Sequence, residues 1–168
     1  MDFAKDRGLI WCVSSYFPEV ARFHLLEERR TMSAIGQNEF VGIGHLDLSV
    51  SNVERSAGWY EQVLGLKRLR RVDFPDRIMI VLLHSSGLII GLNQHAGSSG
   101  ERFSELKLGL DHVGFLVAER EDLDQWQLRL ASLGVEHSPV AEVEAGAALV
   151  FRDPDNIQLE FWWSRPRN

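Results

Sequence analysis

Hydrophobic residues alternate with small or polar ones in two stretches of the chain, and the two stretches resemble each other. Gly44–Val50 reads GHLDLSV and Asp111–Val117 reads DHVGFLV, at an offset of 67 residues. Alternation with a period of two is typical of a β-strand with one buried face. After each stretch, apolar residues recur at three- and four-residue spacing, which predicts an amphipathic helix. The pattern therefore predicts a strand followed by a helix, twice.

Both predicted helices end at the same signal. The first has Ser51 or Asn52 as its candidate N-cap. The apolar face of the first helix is formed by Trp59, Val63 and Leu66. That of the second helix is formed by Leu123, Trp126, Leu130 and Leu133. Gly65 and Gly134 then follow at an offset of 69 residues. A glycine just past a helix supplies the left-handed backbone that closes it.

Three strand-like segments follow each helix. In the first half they span about residues 67–73, 78–84 and 88–93, and in the second about 135–144, 147–151 and 157–163. Gly87 and Asn156 occupy equivalent turns before the last strands, where both residue types tolerate positive φ. The sequence thus predicts an α+β fold of two tandem βαβββ modules, at about residues 41–95 and 108–164, with a Gly/Ser-rich linker at 96–101. We expect their curved mixed sheets to form a cup for a ligand or metal.

Residues 1–40 do not follow this repeat. A short helix is predicted over Val20–Arg30, and residues 31–38 read as a linker in which Met32 is a candidate start codon. We interpret residues 1–40 as an N-terminal extension and linker ahead of one domain at 41–164. A functional lid or a dimer arm is the alternative.

Composition narrows the possible partners. The 168 residues are 45% hydrophobic and 25% charged, as in an ordinary globular protein. The net charge of −6 gives no electrostatic reason to expect nucleic acid. No apolar run approaches a membrane span, and the single cysteine, Cys12, cannot form an internal disulfide. We therefore expect a cytoplasmic protein with neither nucleic-acid nor membrane partners.

Two histidines occupy the same position in the repeat. His45 and His112 lie in the first predicted strand of each module, and Glu160 lies in the last strand of the second module. A carboxylate in an apolar strand is costly unless it is paired, protonated or bound to a metal. Two imidazoles and one carboxylate are the ligand set of an open divalent-metal site. Gly91 is the repeat mate of Glu160 and has no side chain to contribute.

Several of these stretches together resemble the vicinal oxygen chelate superfamily, which includes glyoxalases, bleomycin-resistance proteins and extradiol dioxygenases. The motifs are Gly44–Val50, WYEQVLGL at Trp59–Leu66, Leu110–Val117 and FRDPDNIQLEF at Phe151–Phe161. The resemblance covers about residues 41–164 and implies the same paired-module fold. These motifs say little about which reaction is catalysed, so the resemblance does not identify the reaction.

The resemblance implies a metal-dependent enzyme. His45, His112 and Glu160 fall on the superfamily's ligand positions, and a fourth position used by glyoxalases falls near Gly91. The metal is expected to be Fe, Mn, Ni or Zn, and the substrate a small molecule that chelates it through neighbouring oxygens. A glyoxalase-like lyase or isomerase and an extradiol-type dioxygenase both remain open, and a homodimer is expected. The alternative is a metal-free drug-binding protein of the bleomycin-resistance type.

Other residues are candidates for the pocket. Asp47 lies two residues after His45 and is either a catalytic carboxylate that transfers protons or orients an imidazole, or a solvated rim residue. Glu160 is the second carboxylate assigned a catalytic role. Gln158 and Trp162 flank Glu160 on its strand face, and His95 is a candidate for the assisting histidine of dioxygenases. Fosfomycin enzymes resemble the chain too, but Asp47 replaces their threonine, which argues against a phosphonate substrate.

Overall fold

The computed structural model describes residues 42–166, of which residues 43–166 belong to one compact unit. The predicted helix at Val20–Arg30, the linker at 31–38 and Cys12 lie outside the described residues. No helix within the described range is both long and apolar enough to cross a membrane.

The described chain repeats one arrangement of elements. The first module consists of β1 (Leu46–Ser49), α1 (Val53–Leu64), β2 (Lys67–Asp73), β3 (Arg77–Leu83) and β4 (Ile89–His95). The second consists of β5 (Val113–Leu116), α2 (Arg120–Ser132), β6 (Ala141–Val143), β7 (Gly146–Arg152) and β8 (Gln158–Ser164). The sheets have the orders β1-β4-β3-β2 and β5-β8-β7-β6, with only the first and last strands of each module parallel. The predicted α+β fold of two tandem βαβββ modules is confirmed.

The helices begin and end where local chemistry permits. The Asn52 side chain accepts a hydrogen bond from the Arg55 N–H at 2.9 Å, which caps α1. At the other end, Gly65 adopts φ 73° and its N–H donates to the Glu61 carbonyl. Gly134 closes the second helix with φ 68°. A side chain at either glycine would strain the backbone, so these positions fix the length of both helices.

The two modules share one hydrophobic core and pack through their helix-bearing faces. Trp59 of α1 stacks on Phe151 of β7, with ring centroids 6.3 Å apart. Arg129 of α2 donates to the carbonyls of Val63 and Gln62 at the end of α1. Among the described strands, none of one sheet is hydrogen-bonded to a strand of the other. Within one chain, the edge strands β1 and β5 therefore do not join the two sheets.

Two sequence expectations differ from the structure. The strand expected at 135–144 is reduced to Ala141–Val143, because Pro139 has no N–H to donate to a ladder. His45 and His112 each lie one residue before a strand rather than within it. The cause is the parallel pairing of β1 with β4, which starts at Leu46 opposite Ile90, and of β5 with β8, which starts at Val113 opposite Leu159.

Candidate metal centre

The second module carries a carboxylate on the sheet face opposite α2, near the strand that follows His112. Gly114 of β5 pairs in register with Glu160 of β8. Glu160 Oε1 lies 3.6 Å from the place that a Cβ on Gly114 would take, so its carboxylate leans over the glycine. His112 lies two residues before Gly114, just ahead of β5. The glycine thus leaves room for a carboxylate on the strand that the histidine precedes.

Glu160 has no protein partner in the described part of the chain. Its side chain is half-buried, and no hydrogen bond or ion pair to it forms among residues 42–166. Its register neighbour on the other side is Val150, which offers no donor. Removing a carboxylate from water without a compensating partner is unfavourable. A bound cation would supply that compensation.

His112 is oriented by a residue that the sequence analysis did not assign to the site. The ring Nδ1 of His112 lies 2.6 Å from Oδ1 of Asp111. A carboxylate on one ring nitrogen fixes the tautomer and directs the other nitrogen, Nε2, toward a ligand. The Asp-His dipeptide is visible in the sequence, but a contact between adjacent side chains depends on their rotamers.

The first module carries a histidine and a carboxylate at its first strand. Asp47 is exposed on the face of β1 opposite α1, and the exposed His45 lies two residues earlier, just ahead of the strand. Asp47 pairs in register with Gly91 of β4. Asp47 Cγ lies 2.9 Å from the place that a Cβ on Gly91 would take, and Oδ1 lies closer still. Gly91 therefore contributes space rather than a side chain.

One chain does not bring the halves together. Among residues 42–166, no three His, Cys, Asp or Glu side chains lie close enough to hold a metal ion. His112 and Glu160 belong to the second module, whereas His45 and Asp47 belong to the first. The modules contact each other through α1, α2 and β7.

The remaining pocket candidates have other partners. Gln158 accepts a hydrogen bond from Arg152 at 2.8 Å, and Arg152 is also held by Glu105 at 2.9 Å. The Trp162 indole N–H donates to Ser164 Oγ at 2.8 Å. His95 lies at the end of β4 and lines a cavity of about 360 Å³ whose walls include Ser49 and Asp155. Glu160 is not part of that cavity's lining.

The Asp-Pro-Asp-Asn turn joins the modules instead of contributing to the donor face. Asp153 is buried, and burial raises the pKa of its carboxyl to about 6. The Tyr60 hydroxyl donates to it at 3.2 Å, and the pKa of that hydroxyl is raised well above its usual value, first by burial. Asp155 accepts from the Ser51 N–H at 3.0 Å and pairs with Arg55 at 2.9 Å. These contacts tie the start of α1 to the second module.

The two tandem βαβββ modules place the chain in a class of α+β protein built from paired four-stranded mixed sheets. The chain belongs to the Glyoxalase/Bleomycin resistance protein/Dioxygenase superfamily, whose family model matches residues 42–161.

Three known proteins illustrate the range of the family. The chain is 26% identical over 125 residues to the metallothiol transferase FosB of Bacillus licheniformis, covering 73% of this chain and 75% of FosB. It is also 26% identical over 123 residues to MhqA of Bacillus subtilis, provisionally named a ring-cleaving dioxygenase, covering 72% of this chain and 39% of MhqA. A glyoxylase/bleomycin resistance protein/dioxygenase domain from Frankia sp. EAN1pec superposes with TM-score 0.72 at 35% identity, covering 76% of this chain and 100% of that domain. Both sequence relatives are named as enzymes.

Proposed function

We propose that the protein is a divalent-metal-dependent enzyme of the glyoxalase or dioxygenase type. Its substrate is a small molecule that binds the metal through two neighbouring oxygens. His45, His112 and Glu160 hold the metal, with Asp47 and Glu160 as the carboxylates nearest the substrate. The observation that carries the proposal is Glu160, a half-buried carboxylate without a protein partner in the described chain, on the strand paired with the one that His112 precedes.

The donors fit a divalent cation. Imidazole nitrogen and carboxylate oxygen suit Fe, Mn, Ni and Zn alike, so the donor set supports a metal without selecting one. When bound, such a cation supplies Lewis-acid stabilisation of a developing oxyanion or enolate. His112 and Glu160 bind it, and Asp111 keeps the His112 ring in the ligating tautomer. The family's name includes glyoxalases and dioxygenases, and FosB is named a metallothiol transferase.

The site is completed by a second copy of the chain. Each protomer offers one half-site with His45 and another with His112 and Glu160. A two-fold dimer pairs each half with its complement and so creates two equal sites. Leu116, on the Glu160 face of β5, is 74% exposed, which suits a surface that a second protomer covers.

A phosphonate substrate fits this face poorly despite the relation to FosB. Asp47 is a carboxylate where a phosphonate needs a neutral or positive group, and like charges repel. Val150 and Ala148 pair in register with Glu160 and Trp162, so the adjoining wall is apolar. We therefore propose a neutral or weakly acidic chelating substrate.

Metal binding by defined variants tests the proposal. The purified protein is stripped with chelator, loaded in turn with Fe(II), Mn(II), Ni(II) or Zn(II), and its metal content and dissociation constants are measured. We expect about one metal per protomer, and at least a tenfold loss of affinity in His112→Ala and in Glu160→Gln. His137→Ala and Glu136→Gln, in the same module but away from the donor face, serve as matched controls and are expected to bind like the wild type.

A negative result in the metal-binding experiment can contradict the enzyme proposal. A wild-type protein that binds none of these metals, with small-molecule binding unchanged in His112→Ala, would contradict the enzyme proposal. That result would support a metal-free binding protein of the bleomycin-resistance type. Activity screening over catechols, thiol adducts of 2-oxoaldehydes and acyl-CoA esters then separates the reaction classes.

A further inference from the structure

We infer that Asp47 is a fourth metal donor, contributed by β1 in place of a side chain on β4. This inference rests on the metal centre proposed above and adds to it. It makes the donor set two imidazoles and two carboxylates: His45 and Asp47 from one module, His112 and Glu160 from the other.

The first observation is an exchange of positions between the modules. In the second module the glycine is on the first strand, at Gly114, and the carboxylate is on the last strand, at Glu160. In the first module the carboxylate is on the first strand, at Asp47, and the glycine is on the last, at Gly91. Both pairs are direct neighbours in their parallel ladders. Each module thus has one carboxylate and one glycine in the same row of its sheet.

The second observation is that in both modules the carboxylate lies over the glycine with which it is paired. Glu160 Oε1 is 3.6 Å from the place of a Cβ on Gly114. Asp47 Cγ is 2.9 Å from the place of a Cβ on Gly91, with Oδ1 closer still. Asp47 therefore occupies the space that any side chain at position 91 would need. Each carboxylate leans across the gap between first and last strand, in the row two residues beyond its module's histidine.

The third observation is that Asp47 is not otherwise engaged in the described chain. No hydrogen bond or ion pair joins its carboxylate to any of residues 42–166. His45 precedes Asp47 by two residues, just ahead of β1. The pair forms the half-site of the first module in this inference, with one nitrogen and one oxygen donor. Two such half-sites provide two nitrogen and two oxygen donors, a set suited to Mn, Fe, Ni or Zn.

A fourth donor bears on how a substrate would bind. With four protein donors, fewer positions on the metal would remain open than in a three-donor centre. The cation would supply Lewis-acid stabilisation to a substrate that binds it through two neighbouring oxygens.

The test uses the full-length dimer and two readouts. Mn(II) dissociation constants are measured by titration, and the visible absorption spectrum of the Co(II)-loaded protein reports the number of donors. We expect Asp47→Asn to weaken Mn(II) binding at least about tenfold and to change the Co(II) spectrum. Asp124→Asn, an exposed aspartate on α2, is the matched control and is expected to leave both readouts unchanged.

A double variant tests the equivalence of the two places. Asp47→Gly combined with Gly91→Glu gives the first module the arrangement of the second. We expect it to recover Mn(II) affinity to within a few-fold of the wild type, and Gly91→Glu alone to bind less well than the double variant. A folded, dimeric double variant that binds no better than Asp47→Asn would overturn the inference.

The outcomes separate this inference from the metal centre itself. If His112→Ala weakens Mn(II) binding while Asp47→Asn leaves affinity and spectrum unchanged, the inference is wrong and a three-donor centre stands. If Asp47→Asn lowers affinity without changing the Co(II) spectrum, Asp47 orients a ligand from outside, which also overturns the inference. If neither variant affects metal binding, the metal centre fails as well.

Discussion

At the scale of single residues, the molecule keeps two carboxyl groups in unfavourable surroundings, with different consequences. Glu160 is half-buried beside Gly114 and Val150 with no partner among the described residues. Asp153 is fully buried but accepts hydrogen bonds from the N–H groups of Asp155 at 2.9 Å and Ile157 at 2.7 Å. Asp153 therefore has its hydrogen-bond partners within the fold. Its protonation should make the stability of the protein depend on pH.

The pKa of Asp153 sets a pH dependence of stability. Its value of about 6 in the folded chain exceeds that of an unfolded aspartate, about 3.9, so the folded state binds the proton more tightly. The contribution of Asp153 to the free energy of unfolding therefore falls as pH rises from about 4 to 6. The loss, complete above about pH 7, is on the order of 3 kcal/mol. Urea unfolding of wild type and Asp153→Asn, across pH 4 to 7.5, measures it.

We expect Asp153→Asn to remove this dependence. The asparagine carbonyl can accept from the same two backbone N–H groups, and its amide can donate to the Tyr60 oxygen. The stability of the wild type relative to the variant is then highest near pH 4 and lowest above pH 7. A relative stability that rises with pH over this interval would contradict the account of Asp153.

At the scale of elements, the two equivalent turns before β4 and β8 are closed by different side chains. Asn156 at φ 71° and Gly87 at φ 87° close the turns before β8 and β4. In the first turn Asp153 accepts from the N–H two residues on, and in the second His84 Nδ1 accepts from the Ser86 N–H at 3.1 Å. The Asp-Pro-Asp-Asn sequence adds Asp155, which contacts Ser51 and Arg55 across the module boundary. The motif therefore belongs to the joint between modules.

Removing Asp155 should weaken that joint. Its carboxylate is buried and accepts from the Ser51 N–H, from the Ser56 hydroxyl at 3.3 Å and from Arg55. We expect Asp155→Ala to lower the free energy of unfolding by about 3 kcal/mol, since hydrogen bonds to a charged group are worth about 1.5–3 kcal/mol each and donors are left unpaired. Asp76→Ala, an exposed aspartate in a turn, is the control. A loss below about 1 kcal/mol in urea unfolding would show that the joint does not depend on Asp155.

The elements were largely predictable from local pattern, and their exact pairing was not. Alternation and Gly65 predicted a strand, a helix and its end, because these depend on neighbours in the sequence. The ladder that leaves His45 just outside β1, and the loss of most of the strand around Pro139, depend on where a partner strand begins. Likewise, the sequence showed that Gly91 has no side chain to act as a ligand. It did not show that Asp47 fills the space beside Gly91, because that depends on the register of β1 on β4.

At the scale of the whole molecule, the packing of the two modules determines which candidate donor residues one chain brings together. Trp59, Phe151 and the α1–α2 contacts join the modules through their helix-bearing sides. The repeat predicted both modules and the positions of His45, His112 and Glu160 along the chain. It did not predict whether the halves meet within a chain, because similarity between the modules does not specify how they pack against each other.

The central claim is that a metal binds between His45 of one protomer and His112 with Glu160 of its partner. A heterodimer purified by two different tags, one chain carrying His45→Ala and the other His112→Ala, tests it directly. One of its two shared sites keeps all its ligands and the other loses both histidines. We predict one tightly bound metal per heterodimer, and none in either parent homodimer. A heterodimer that binds no metal, while the wild-type dimer binds two, would contradict a shared site.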